Sequence, residues 1–309
     1  MPGYAFATIE RLGYKPKRKQ HAPHRWNQPV FGRNRQMAYI DESPKLDDAG
    51  KKFIQKGVGS FLYYGRAINN PMLVALNEIG TQQSKPTENT KQHMEWLLDY
   101  AATYPNPKLR FYASDMILHV DSDAAYLVLP NAKSRYAGYF YLSDMPPAHG
   151  DPNPKLNAPI HINCRIFRNT LSSSSECETG GVFFNCQEAI PIRISLEALN
   201  HPQPATPVKT DNSVAFSFSH ANIRQRKSKT WDMNWNWLRD KQTQKIFRIY
   251  WKPGAQNHAD YWTKHHSPTY HARVRSRYVL NKIVSFPTLD LHCIVKNAVL
   301  HSQSCARVC

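Results

Sequence analysis

The sequence predicts an α/β fold of the α+β kind, a mixed sheet preceded by a small helical module. Two observations carry this. Hydrophobic periodicity is helical from Leu46 to about Asn106 and becomes strand-like after it. The later elements then run three strands, helix, strand, helix, strand, helix, and alternation in the second half calls for parallel pairs in a sheet that begins with hairpin-like strands.

Residues 1–45 are expected to form a basic extended arm: from Arg11 to Arg35 there are eight Lys or Arg and no acid, with Pro16, Pro23 and Pro29 opposing any helix. His21 and His24 in this arm are expected to be solvated loop histidines. Residues 46–106 form the helical module. Val58, Phe61, Leu62 and Gly65 share one face, Leu73, Leu76 and Ile79 follow after Pro71, and Met94, Leu97, Leu98 and Ala101 make a third run with Thr87 or Thr90 as cap. Tyr63, Tyr64 and Arg66 suit either a core or a nucleic-acid contact.

Residues 107–280 carry the sheet. Its expected strands are Phe111 to Asp123, Arg135 to Leu142, Ala158 to Ile166, a short one from Pro207 to Asp211, and Ile246 to Trp251. A proline-rich loop separates the second and third. A helix is expected from Glu176 through Ala189, with Pro191 breaking it or opening a second helix that ends near Leu199. Ser213 to Phe218, the Trp231, Trp235 and Leu238 stripe, and Asn257 to His266 are the remaining helices. Residues 281–309 have no clear period and are left unassigned.

With 309 residues, 41% of them hydrophobic, the chain can bury a core in each of two modest domains. Lys and Arg number 40 against 23 Asp and Glu, and the formal charge of +17 favours a polyanionic partner, nucleic acid before an anionic membrane surface. No apolar run approaches the roughly 18 to 20 residues of a membrane span, and Met-Pro-Gly-Tyr has no signal-peptide core. The expected setting is intracellular, cytoplasmic or nuclear. Cys164, Cys177, Cys186, Cys293, Cys305 and Cys309 include no Cys-x-x-Cys pair and are expected to be free thiols.

Four carboxylates stand at informative places: Asp123 at the end of the first strand, Glu178 in the first turn of the first long helix, Asp211 at the end of the fourth strand and Asp260 opening the last helix. Each also has an ordinary reading, since Asp before Asn suits a turn or cap and Glu near a helix start suits the helix dipole. Together, a cluster of acids demands hard cations, and oxygen ligands suit magnesium or manganese. Asp121 and Asp123 are assigned to opposite faces of the strand, so that one enters the site and the other does not.

Several words resemble the copia-type retrotransposon polyprotein, from the end of its reverse transcriptase through its ribonuclease H domain. They are Ser-Asp-Ala-Ala-Tyr (Ser122 to Tyr126), Ser-Arg-Tyr-Ala-Gly-Tyr-Phe-Tyr-Leu-Ser (Ser134 to Ser143), Ser-Ser-Glu-Cys-Glu (Ser174 to Glu178), Thr-Asp-Asn-Ser (Thr210 to Ser213) and Ala-Asp-Tyr-Trp-Thr-Lys-His-His (Ala259 to His266). The resemblance implies a ribonuclease H-like fold for 107–280 and a connection module, a reverse transcriptase remnant, for 46–106. It selects Asp123, Glu178 rather than Glu176, Asp211 and Asp260 as catalytic residues and metal ligands for two Mg2+ or Mn2+ ions. It leaves Asp121 as an exposed or adjacent neighbour. It further implies an endonuclease that hydrolyses the RNA strand of an RNA·DNA hybrid, working alongside a reverse transcriptase polymerase chain, with Arg224, Arg226, Lys227 and Lys229 tracking phosphates.

Three departures qualify it. No Tyr-x-Asp-Asp polymerase motif is present, Trp251-Lys252-Pro253-Gly254 stands where cellular ribonucleases H carry a histidine-bearing loop, and Gly180 and Gly181 interrupt a helix. The alternative expectation is a catalytically inert nucleic-acid-binding remnant of a retroelement.

Overall fold

The structure, a computed structural model, describes residues 1–26, 41–220 and 232–280. Four helices come first: α1 (Tyr4–Arg11), α2 (Asp48–Ala67), α3 (Leu73–Gln82) and α4 (Glu88–Thr103). Asp47 caps α2 through the Gly50 N–H, and Thr87 and Thr90 form a reciprocal capping box on α4. Their apolar faces meet in one cluster that includes Ile9, Ile54, Val58, Phe61, Tyr64, Leu76, Ile79, Met94 and Leu98. Tyr64 is therefore core, whereas Tyr63 is exposed.

The basic arm differs from expectation where it is described. Its start is helical, and residues beyond α1 are tied to α4: Asp99 accepts from the Tyr14 hydroxyl and the Lys17 N–H, both at 2.9 Å, and Trp96 Nε1 donates to the Ala22 carbonyl at 2.9 Å. Prolines do keep this stretch out of a helix, and acceptors on α4 take up the backbone donors it leaves free. His24 is not solvated. It is 6% exposed, its ring stacks on His265 at 3.8 Å, and its Nε2 lies 3.2 Å from Nε2 of His271.

Strands β1 (Ile117–Leu129), β2 (Lys133–Ser143) and β3 (Pro159–Ile166) pair antiparallel in succession. Helix α5 (Ser174–Ala198) crosses to β4 (Thr206–Thr210), and α6 (Ser213–Ser219) and α7 (Asp232–Thr243) lead to β5 (Phe247–Trp251). Strand β4 runs parallel to β1 and β5 parallel to β4, giving the order β3-β2-β1-β4-β5. This mixed five-stranded sheet with its crossover helix, preceded by a helical region, is a ribonuclease H-like fold.

Four local expectations are corrected. The first strand begins six residues late because Met116 has φ 60° and its N–H turns back to Ser114 Oγ, and it runs on to Leu129, so that Asp123 lies inside β1 rather than at its end. Pro191 does not break α5, which is continuous to Ala198. Glu178 falls in the second turn of α5, because the helix starts at Ser174. Finally, the expected helix from Asn257 to His266 is a 3-10 turn, His258–Trp262, followed by α8 (Pro268–Val274).

The sheet is covered on both faces. On one, Leu118 and Val120 pack under Val182, Cys186 and Ala189 of α5. The helix comes close because Gly181 lacks a side chain: a Cβ there would sit 3.3 Å from Cβ of Ala124, which accounts for a glycine that costs roughly 1 kcal/mol of helix propensity. On the other face, Tyr139, Tyr141, Tyr261, Trp262 and Tyr278 form a cluster that also takes in Leu73 and Val74 of α3. Polar links cross the same boundary. Arg135 of β2, 1% exposed, pairs with Glu78 of α3 at 2.6 Å, and Trp262 Nε1 donates to the Asn70 carbonyl at 2.9 Å. The helical region is thus packed onto the five-stranded sheet.

Cys164, Cys177 and Cys186 are free thiols; Cys293, Cys305 and Cys309 lie outside the described residues. Trp231 also lies outside them, while Trp235 and Leu238 are buried on α7. Among the described residues no helix is long and apolar enough to cross a membrane.

Candidate metal centre

Residues two apart in a strand share a face, so Asp121 and Asp123 point the same way rather than oppositely. Both meet the stretch 257–263, and so do Lys209 of β4 and Asp211 one residue past its end, which are also two apart. Asp121 stands beside Lys209 in the parallel register of β1 and β4. The inner pair is acid with base; the outer pair, Asp123 and Asp211, is acid with acid.

Asp123 is 4% exposed. Its Oδ2 accepts from Thr263 Oγ1 at 2.6 Å, and its Oδ1 lies 3.4 Å from Asn257 Nδ2. The same Asn257 Nδ2 is 3.4 Å from Oδ1 of Asp211 and 2.9 Å from the Ser122 carbonyl, so one carboxamide spans both strands. Asp211 is fixed further by its backbone carbonyl, which accepts from Trp251 Nε1 at 2.8 Å. Gly254 closes over it, leaving no room for a side chain: a Cβ would fall 2.7 Å from Asp211 Oδ2.

Glu178 enters from α5. The choice between it and Glu176 has a local cause: Glu176 is committed to the helix start, accepting the Ser172 N–H at 2.6 Å while Ser173 caps its own N–H. Glu178 is free of that duty, and its Oε2 is buried with no hydrogen-bond partner among the described residues.

Asp123, Glu178 and Asp211 each offer an oxygen, and these oxygens all lie within 4.8 Å of one another. Asp260 stays outside that group and pairs instead with Lys264 one turn on. Three of the four expected ligands are therefore brought together, with the fourth close enough for its charge to act on Asp123. Arg224, Arg226, Lys227 and Lys229 lie outside the described residues.

Electrostatics follow from this crowding. Burial, and then the charges of Asp260 and Asp211, push the Asp123 carboxyl up to about 8. Burial and then Asp123 and Asp211 hold Glu178 well above the usual carboxylate range, against a hydrogen bond from the Ala124 backbone. Asp211 is raised by burial and by Asp260, against hydrogen bonds from its own backbone and Asn257. Near-neighbour carboxylates that cannot all ionise either keep protons or take up a cation. An all-oxygen donor set with one unsatisfied buried oxygen fits a hard divalent cation such as Mg2+ or Mn2+.

Residues the sequence reading gave no role surround the acids: Asn257, Thr263, Lys264, Lys209 and His258, the last two on Asp121. Thr263 and Lys264 lie inside the word Ala259 to His266, so the signal was at hand. Asp121 was the opposite case. It is 0% exposed rather than an exposed neighbour, and burial alone would raise it, yet Lys209 and His258 hold it below its usual range.

No protein-family model matches the chain, and no curated protein matches it. Among solved structures, the chain is similar to the N-terminal RNase H domain of rv2228c from Mycobacterium tuberculosis (10% identity, TM-score 0.33, covering 52% of this chain and 97% of that one). It is also similar to LC11-RNase H1, solved in complex with an RNA/DNA hybrid (9% identity, TM-score 0.31, 47% and 91%). A foamy viral protease-reverse transcriptase, solved with double-stranded DNA, aligns over 69% of this chain and 33% of its own length (14% identity, TM-score 0.40).

Proposed function

We propose that the chain is a ribonuclease H-type endonuclease of a copia-type retrotransposon polyprotein, hydrolysing the RNA strand of RNA·DNA hybrids with two divalent ions, Mg2+ or Mn2+. The observation that carries this is the convergence of Asp123, Glu178 and Asp211, from β1, α5 and the end of β4, to within 4.8 Å. Asp123 and Asp211 would hold both ions, Glu178 would complete one position and Asp260 the other. Bound there, the cations supply Lewis acidity and charge neutralisation for phosphodiester hydrolysis.

The protein's own groups define the rest. Thr263 and Asn257 orient the Asp123 carboxylate by donating to it, and Asn257 keeps Asp123 and Asp211 facing each other. Trp251 fixes the backbone on which Asp211 sits. The resemblance, rather than the geometry, supports the choice of the RNA strand and a polymerase chain as working partner. The net charge of +17 supports a nucleic-acid substrate held with salt-dependent strength.

One observation favours the alternative of an inert nucleic-acid-binding remnant: Asp260 is engaged by Lys264 instead of joining the other acids. A labelled RNA·DNA hybrid separates the two. The nuclease reading expects cleavage in Mg2+ or Mn2+ that is abolished by EDTA and by Asp211→Asn. Salt-dependent binding with no cleavage in either metal would refute it and leave the remnant.

A further inference from the structure

The geometry points to Asp121 as a positioning residue that anchors, from beneath the metal centre, the turn bearing Asp260. The inference rests on the metal-site reading above and goes beyond it, because Asp121 is not a ligand.

Asp121 is fully buried, and its Oδ2 gathers three donors. Lys209 Nζ lies at 2.7 Å, the backbone N–H of His258 donates at 3.1 Å, and His258 Nδ1 lies at 2.7 Å. His258 is the first residue of the 3-10 turn that carries Asp260. At its far end the turn is held by Thr263, which donates to Asp123. Asn257, just before it, caps Ala259 N–H at 3.2 Å and grips the Ser122 carbonyl. Asp260 therefore stands on a short span clamped at both ends to consecutive same-face residues of β1. One clamp, Asp123, belongs to the metal site, whereas the other, Asp121, does not.

The chemistry of the inner pair explains why an acid serves here. A buried ion pair is a poor source of stability, and apolar residues of similar size hold a sheet together as well or better. An apolar residue at 121 has no acceptor for the His258 N–H. Lys209 then completes the arrangement: it neutralises Asp121, so that the anchor accepts hydrogen bonds without adding a further negative charge beside Asp123 and Asp211. Hydrogen-bonded supports of this kind set ligand orientation, and their loss typically weakens metal binding by about 10- to 100-fold.

The prediction is selective. An ion held by Asp123, Glu178 and Asp211 meets the turn only through its flanking residues Asn257 and Thr263, which keep their own bonds to β1, whereas one that needs Asp260 depends on the turn itself. Mn2+ titration of the full chain, with free Mn2+ read by electron paramagnetic resonance, distinguishes tighter and weaker sites without relying on turnover. The charge-swapped variant Asp121→Lys with Lys209→Asp keeps an ion pair between the strands and removes the acceptor at 121. His258→Phe keeps the native pair and the backbone bond and removes the ring's contacts with Asp121 and Lys209, so it tests the anchor even where the swap fails to fold.

In both variants the tighter site should stay within about twofold of wild type, while the weaker one should lose about tenfold or more in the swap and a smaller factor in His258→Phe. Equal weakening of both sites, or no change in either, would overturn the inference. A wild-type chain that binds no Mn2+ would instead overturn the metal-site reading beneath it.

Discussion

Replacing Asp123 by Asn in the metal-free protein should stabilise it, against the usual rule that cutting a buried hydrogen-bonded group destabilises. In wild type this carboxyl is raised from 3.8 to about 8, first by burial and then by Asp260 and Asp211. The sign follows from linkage. Between these two values the folded state holds a proton that the unfolded state has released, so stability falls as pH rises from about 4 to about 8. Each tenfold change in acidity is about 1.4 kcal/mol, which makes the full penalty on the order of 5 kcal/mol at pH 8 and about 2 kcal/mol of it incurred above pH 6.5. Asn carries no charge, and its carbonyl oxygen can still accept from Thr263. In EDTA, wild type should lose several degrees of melting temperature between pH 6.5 and 8, at roughly 2–4 °C per kcal/mol. Asp123→Asn should melt higher than wild type at pH 8 and show a flatter profile, and added Mn2+ should raise the melting temperature of wild type alone. Thermal melts by circular dichroism read all three. An Asn variant that melts lower at pH 8, or a wild type indifferent to pH over this window, would refute the account of a frustrated acid cluster.

Two further outcomes are expected. Gly254→Ala puts a Cβ 2.7 Å from Asp211 Oδ2 and must push that carboxylate or its own loop aside; hybrid cleavage should fall about tenfold or more with under about 1 kcal/mol of lost stability, because the loop is at the surface. The imidazoles of His24 and His271 are both held below their usual range, first by burial and then by neighbouring imidazoles, with His271 lowered to about 3. Their folded state therefore excludes protons the unfolded state takes up, and stability should drop below about pH 6.5 by about 2 to 3 kcal/mol per pH unit for the pair; acid melts of wild type against His271→Gln, which should be less pH-sensitive, check it.

Much of the fold was legible because periodicity reports burial directly. Leu118 and Val120 alternate with His119 and Asp121, and the first pair packs under α5. The helical faces of α2 and α4 were visible for the same reason, with Ile54, Phe61, Met94 and Leu98 meeting in one cluster. Boundaries were harder. The late start of β1 depends on a positive φ at Met116, a residue with no glycine or asparagine to advertise it. Pro191 signals a break in isolation, yet α5 runs on, held on the sheet by Cys186 and Ala189 before it and Leu196 after it. Arg11 to Trp26 read as a free basic arm because nothing in its own composition reveals that Asp99 and Trp96, more than seventy residues on, supply its partners.

The site was legible only where a residue's role is local or its word is familiar. Glu178 was preferred to Glu176 only through the familiar word Ser174 to Glu178; the local cause came with the structure, where Ser172 and Ser173 bind Glu176 in a helix cap. Asp121 had no such local partner: Lys209 and His258 stand 88 and 137 residues away, brought to it by the parallel pairing of β1 with β4 and by the 3-10 turn after β5. Two acids at i and i+2 on a strand crowd one face, and the charge of each must be answered separately. Lys209 answers the first, within the sheet; the second, beside Asp211 and Glu178, takes hydrogen bonds from the neutral donors Thr263 and Asn257, while Lys264, whose charge also acts on it, is paired with Asp260. A cation at that outer position would complete the pattern that Lys209 begins, which is why the buried ion pair beneath the centre is as informative about the site as the acids themselves.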